Sequence, residues 1–318
     1  MWNAKYTMIK EKGMFYLRKS LSMLAILVVN ALFCEKCVCK PPARIISLYP
    51  AHTENLFSLG LSKEIVGVSR SETYPPAVFE KEVYSPFDSI ERFISAQPDL
   101  ILIRPMLERA HFQLFSTLRS AGIKVVSLQP RTVPEMYEYW LKLGELTGRK
   151  KRAQEMIDKF KEELKKIEKI VSRIPLSKRK RVFFESIHKK FKTFSPRSIT
   201  MFVLNSAGGI NIARDAIPTR NTNIADYGKE KILSHADDID VYISQSGHMN
   251  HVTREDILYE PGFQAIKAVR EGRVYIVPEE LVSRPTLRLI KGIYLIGHIL
   301  YPEYFHGKGE SEKCLRLR

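Results

Sequence analysis

The chain has 318 residues, 44% of them apolar, with 51 Lys and Arg against 35 Asp and Glu, a formal net charge of +16. That length and apolar content exclude a disordered or fibrous chain and suit about two domains. The basic excess admits nucleic acid, an anionic membrane surface or an anionic ligand as partner, and only patterning can choose among them.

Arg18 and Lys19 precede the apolar run Leu21–Phe33, interrupted only by Ser22 and Asn30. The run is short for a bilayer span of about 20 residues and suits the apolar segment of a secretory signal. Residues 1–39 are therefore expected to be a signal peptide, starting at Met1 or Met14, with cleavage just before Lys40. A lipid anchor on Cys34 and an uncleaved membrane anchor are the alternatives. Of the cysteines Cys34, Cys37, Cys39 and Cys314, such cleavage keeps only the last, so the mature chain has neither a disulfide framework nor a thiolate metal site. It would carry 45 basic and 33 acidic residues, a net charge of +12.

From Arg44 onward, short apolar runs alternate with helical spacing. Strands are predicted at Arg44–Leu48, Ile65–Val68, Leu100–Ile103 and Ile123–Leu128, with helices at Thr53–Leu59, Ser89–Ala96 and Leu107–Ala121. Such alternation predicts a parallel sheet with helices on both faces. Pro134 sits in the first turn of a helix running to Thr147, where Gly148 stops it. Arg149–Ser172 then places Ala153, Met156, Phe160, Leu164, Ile167 and Val171 at steps of three or four. That is one long amphipathic helix, ended by Pro175, and the acids among its lysines make its outer face a solvated one rather than a basic rail.

A second α/β segment follows, with strands at Val182–Ile187, Val241–Ser244 and Val274–Val277. Its helices are predicted at Ile199–Ala207, Lys229–Ala236, Gly262–Arg270 and Pro285–Leu300. The fold class is thus α/β, two lobes with parallel sheets joined by one long helix. The lobes are 40–148 and 175–306, the connecting helix 149–174, and 307–318 a tail. A faint repeat supports this: Glu91, Ser95 and Asp99 recur at the same offsets as Glu230, Ser234 and Asp238, each set ahead of a strand.

Enzyme signatures are sparse. The sequence has no G-x-G-x-x-G, no Walker-type loop, no G-x-S-x-G and no H-E-x-x-H. His248 and His251 follow a strand end, where open α/β sheets bind ligands, and are weak candidates for a metal or an iron-centred ligand. Arg70, Arg104, Arg197, Arg214 and Arg284 lie in loops, with Tyr49, Tyr74, Phe87 and Phe194 nearby. Guanidinium forks suit carboxylates or phosphates, and the aromatics suit a flat or greasy ligand.

RIISLYPAHTENLFSLGL, YPP at Tyr74–Pro76, SIERFISAQPDLIL, NSAGGINIA, GKEKILSHADDIDVYIS, IKAVREGRVYIV and SRPTLRLIKGIYLIGHILYPEYF occur in that order along the chain. Together they resemble the cobalamin- and iron-siderophore-type substrate-binding proteins of ATP-binding-cassette importers. The resemblance implies two rigid, Rossmann-like lobes with parallel sheets joined by a long rigid helix, a ligand cleft between the lobes, and one glutamate per lobe docking on the membrane permease. Glu91 and Glu230 occupy those positions. The cleft residues that match are Pro50, Ala51, His52, Tyr74, Phe87 and Arg104 in the first lobe, with Phe194, Arg197, Gln245 and Arg284 in the second. The chain departs from cobalamin binders in lacking tryptophan at these positions, which weakens stacking on a corrin ring.

The resulting expectation is an exported, monomeric solute-binding protein, periplasmic or on the cell surface, with a permease and its ATPase subunits as partners. It would have no catalysis and no cofactor of its own. Its solute would be an iron chelate, a corrinoid or another tetrapyrrole, anionic in character, and nucleic acid is not a partner. A receptor for a small oxyanion or bare transition-metal ion, and a two-lobed metal-cluster or chelatase-type enzyme, are the alternatives.

Overall fold

The computed structural model describes residues 41–219 and 222–305, so the expected signal segment and the tail lie outside the described residues. The first half is built on β1 (Ile45–Ser47), α1 (Pro50–Ser58), β2 (Ile65–Ser69), β3 (Glu82–Tyr84), α2 (Ile90–Ser95), β4 (Leu100–Ile103), α3 (Pro105–Ala110), α4 (Phe112–Ser120) and β5 (Lys124–Ser127). Its five strands are all parallel, in the order β3-β2-β1-β4-β5. Every residue of β1 and β4 is buried, as expected for central strands covered on both faces. The predicted helix over 107–121 is two helices, because the backbone breaks at His111 (φ −129°, ψ 41°).

Two helices follow, α5 (Val133–Leu146) and α6 (Lys150–Val171). Thr132 caps α5 through a hydrogen bond from the Glu135 N–H, with Pro134 in the first turn. The 22 residues of α6 span about 33 Å. Its stripe of Ala153, Met156, Ile157, Phe160, Ile167 and Val171 is buried. Phe160 meets Trp140 of α5 edge-on, with ring centroids 5.2 Å apart, and stacks at 6.5 Å on Phe202 of the second half.

The second half contains β6 (Arg181–Ile187), β7 (Lys192–Phe194), α7 (Ile199–Ser206), β8 (Ile210–Asn211), β9 (Ile217–Pro218), β10 (Ile224–Asp226), α8 (Lys229–Ser234), β11 (Val241–Ser246), α9 (Arg254–Leu258), α10 (Lys267–Arg270), β12 (Val274–Pro278), α11 (Glu279–Val282) and α12 (Leu289–Leu300). Its sheet runs β12-β11-β6-β7-β10-β9, with β8 also paired to β6. Here the expectation of a purely parallel sheet is corrected. β12, β11, β6 and β8 are parallel, whereas β7, β10 and β9 are antiparallel to their neighbours. Only four residues connect β6 to β7, and parallel strands need a crossover of a dozen or more. Phe191 makes that reversal in the left-handed region (φ 47°).

One apolar core runs from Ile45, Leu100 and Leu102 through Trp140 and Phe160 to Phe184, Ile243 and Ile296. The lobes are thus joined by buried side chains and not by chain connectivity alone. No helix among the described residues is long and apolar enough to cross a membrane.

The aspartates of the faint repeat do not match at the offset the sequence suggests. Asp99 Oδ2 accepts the N–H groups of Ala43 and Arg44, and Asp240 Oδ2 accepts the Arg181 N–H. Each aspartate immediately precedes a strand and ties down the start of the strand beside it. The structural partner of Asp99 is therefore Asp240 rather than Asp238, and the second turn is two residues longer.

Candidate ligand-binding cleft

The strand order of the first sheet reverses between β1 and β4, and ligands bind beyond the carboxyl ends of the strands at such a point. A cleft of about 410 Å³ lies there. Leu48, Tyr49 and Pro50 follow β1, Arg70 and Ser71 follow β2, Phe87 follows β3, and Arg104 follows β4; all line it. The second lobe supplies His248 and Met249 after β11, and Glu279 and Arg284 after β12.

The charge is uneven across the cleft. Arg70 is exposed and Arg104 half-buried, with its guanidinium 5.1 Å from the Tyr49 ring centroid. Neither has an ion-pair partner among the described residues. Arg284 is 8% exposed; its Nη1 lies 3.2 Å from Thr73 Oγ1 and 3.5 Å from Glu54 Oε1. Phe87 is 85% exposed and makes a T-shaped contact with His111, with ring centroids 4.8 Å apart.

Behind the wall lie two buried carboxylates. Glu54, on α1, accepts two hydrogen bonds from Arg288, at 2.9 Å (Nε to Oε2) and 2.7 Å (Nη2 to Oε1). The pair ties the first lobe to the segment preceding α12. Beside it, the Pro285 carbonyl accepts from Asn55 Nδ2 and Trp140 Nε1, both at 2.9 Å. Glu72 Oε1 lies 2.7 Å from Ser69 Oγ and 3.0 Å from Thr53 Oγ1, while its Oε2 is buried without a partner. Burial raises the Glu72 pKa to about 7 despite those hydroxyls.

Among the residues singled out from sequence, Pro50, Phe87, Arg104, Arg284 and His248 come together at the cleft. The others sit elsewhere. Ala51 is buried within α1, and Phe194 is buried in β7, edge-on to Phe184 at 5.5 Å. Gln245 is enclosed, donating to the Ser186 carbonyl and accepting from Ser283. Tyr74 lies beneath the Arg288 guanidinium, 4.6 Å from its ring centroid. Arg197 and His251 are exposed outside the cleft lining.

His52 is an internal strut. Its Nε2 lies 3.0 Å from the Ile103 carbonyl, which can only accept, so Nε2 carries the proton and Nδ1 accepts from Tyr139 Oη at 2.7 Å. Burial lowers its pKa to about 4, helped by the Arg104 charge. Glu91 and Glu230 are exposed, each in the first turn of a short helix, α2 and α8. Tyr49, Arg70, Met249 and Glu279 are cleft residues absent from the sequence-based set. Tyr49 and Arg70 are loop residues in the sequence, and their position just past a strand is the available signal.

Residues 45–281 match the periplasmic binding protein family. An uncharacterized ABC transporter substrate-binding lipoprotein of Bacillus subtilis is 29% identical over 269 residues, covering 84% of this chain and 82% of its own. The vitamin B12-binding protein of Vibrio parahaemolyticus is 24% identical over 257 residues, covering 80% and 88%. A crystal structure described as a possible iron-binding, periplasmic solute-binding protein of Staphylococcus epidermidis superposes with a TM-score of 0.71 at 29% identity, covering 82% of this chain and all of that one. The chain belongs to the periplasmic binding protein family.

Proposed function

We propose that this member of the periplasmic binding protein family is the extracytoplasmic solute-binding component of an ABC importer, and that it captures a metal-centred chelate carrying acidic groups, of the corrinoid or iron-complex kind. The observation that carries the reading is the cleft between the lobes, walled by Phe87 and Leu107 and faced by Arg70 and Arg104, which have no acidic partner among the described residues. Apolar and aromatic walls suit the flat body of such a solute, and guanidinium forks suit its carboxylates. The relatives named for vitamin B12 and for iron support a solute built around a metal.

Capture would need little rearrangement. The continuous core, the Glu54–Arg288 pair and the two bonds to the Pro285 carbonyl hold the lobes at a fixed spacing, so the cleft is largely preformed. Delivery would use Glu91 and Glu230, one on each lobe and both exposed, against cations of the permease. Two separated charge contacts fix register and speed encounter.

Titration of the purified protein with cyanocobalamin, hemin and a ferric hydroxamate tests the solute class. Saturable binding of at least one at micromolar or lower concentration is expected. Binding of phosphate or Zn²⁺ with none of the three would replace this reading with an oxyanion or bare-metal receptor.

A further inference from the structure

We propose that His248 donates its imidazole nitrogen to the metal at the centre of the bound solute, so that the cleft selects chelates with an exchangeable axial position. This rests on the metal-chelate reading above and extends it.

His248 and Met249 form the tip of a two-residue turn past the end of β11. The Gly247 N–H donates to the Asn250 carbonyl and the Asn250 N–H to the Gly247 carbonyl, both at 3.1 Å. Asn250, 5% exposed, pins the base of the turn. Its Oδ1 accepts the His188 N–H at 3.0 Å, and its Nδ2 donates to the Gln245 carbonyl at 2.7 Å. A Cβ on Gly247 would lie 2.6 Å from the Cβ of Glu279, so glycine alone lets the turn seat against α11. The tip is therefore held, and it faces the cleft.

His248 is the one imidazole among the lining residues. Among the described residues it has no hydrogen-bond or ion-pair partner, whereas His52 uses both ring nitrogens and His188 lies 3.0 Å from Glu185. Tyr49 also lines the cleft, but burial pushes its phenol up against the pull of Arg104 and Arg284, so ligation through its oxygen would first cost a proton that a neutral imidazole does not carry on its free nitrogen. A bare ion takes three or four protein donors. Among the described residues no three His, Cys, Asp or Glu side chains come together to hold one. A chelated metal brings its other donors with it, and an imidazole is a common partner for iron in a macrocycle.

The test compares wild type with His248→Ala on hemin and on metal-free protoporphyrin IX. The side chain is exposed, and thermal unfolding of the variant should match wild type. His248→Ala should shift the Soret band of bound hemin and weaken hemin by about a hundredfold, since losing even an outer partner of a metal ligand costs about 10–100-fold. Protoporphyrin IX should bind both proteins within about twofold, because its contacts are to the walls. Equal losses for the two porphyrins, or an unchanged Soret band, would overturn the role of His248 while leaving the solute class intact. If wild type takes cobalamin alone, it should prefer aquocobalamin to cyanocobalamin and the variant should not; equal preference overturns the proposal. A wild-type protein that binds a ferric hydroxamate but no porphyrin and no cobalamin overturns the role of His248 alone, and one that binds none of the three refutes it together with the reading it rests on.

Discussion

Glu54 carries the sharpest prediction about how the cleft is held. Its carboxylate is 3% exposed and takes both hydrogen bonds of the Arg288 fork, with Arg284 at 3.5 Å. Glu54→Gln keeps the volume but leaves two largely enclosed guanidiniums without their anion. Breaking one side of a buried pair costs about 3–5 kcal/mol, and two charge-assisted hydrogen bonds at about 1.5–3 kcal/mol each give a similar figure. Urea unfolding at pH 7 should therefore show Glu54→Gln less stable by about 3–5 kcal/mol. Arg288→Met alone should cost less, because Arg284 still faces the carboxylate, and the double variant should be less damaged than the two losses added. A loss under about 1 kcal/mol would place the pair with exposed salt bridges and refute the argument that it locks the lobes.

Glu72 supplies a pH signature. It binds its proton more tightly in the folded chain, so its contribution to stability is full below its ordinary value of 4.5 and is lost as pH rises through about 7. His52 has the opposite sign, with its contribution full above 6.5 and lost as pH falls towards about 4. Glu72→Gln should therefore gain about 3 kcal/mol on wild type between pH 4.5 and 8 in chemical unfolding, and a difference that is flat with pH would contradict it. Gly247→Ala should destabilise by about 1–3 kcal/mol through the clash with Glu279 and should also weaken hemin; a neutral effect would show the turn is free to move. Arg70→Ala and Arg104→Ala should each weaken an anionic solute about tenfold or more and make binding less salt-dependent, which calorimetry at two salt concentrations reads directly. Charge reversal at Glu91 and Glu230 together should abolish uptake with binding unchanged; lost affinity would remove both from docking.

Much of this was legible in the chain, and the parts that were not share a cause. β1 and β4 announce themselves as unbroken apolar runs because both faces are covered. β3 (Glu82–Tyr84) and β7 (Lys192–Phe194) are three residues each and mix charge with apolar groups, so no period shows. α1 begins at Pro50 and buries every residue through Leu56, including His52, Thr53, Glu54 and Asn55. A helix enclosed by sheet, cleft wall and the other lobe has no solvent face to reveal its period. The same enclosure hid the roles of its polar side chains. Asn55 and Glu54 meet partners 230 and 234 residues away, and no local spacing records such a contact. The cleft was more accessible, since a strand end followed by a loop is visible in sequence and a ligand is expected there.

The central claim is that the cleft holds a metal-centred chelate. Native mass spectrometry with visible absorption on protein purified from its own organism tests it most directly. The account predicts an added mass of one chelate, a visible band, and release of both on denaturation. Protein that carries instead a bare oxyanion or a bare metal ion, with no chromophore, would contradict it.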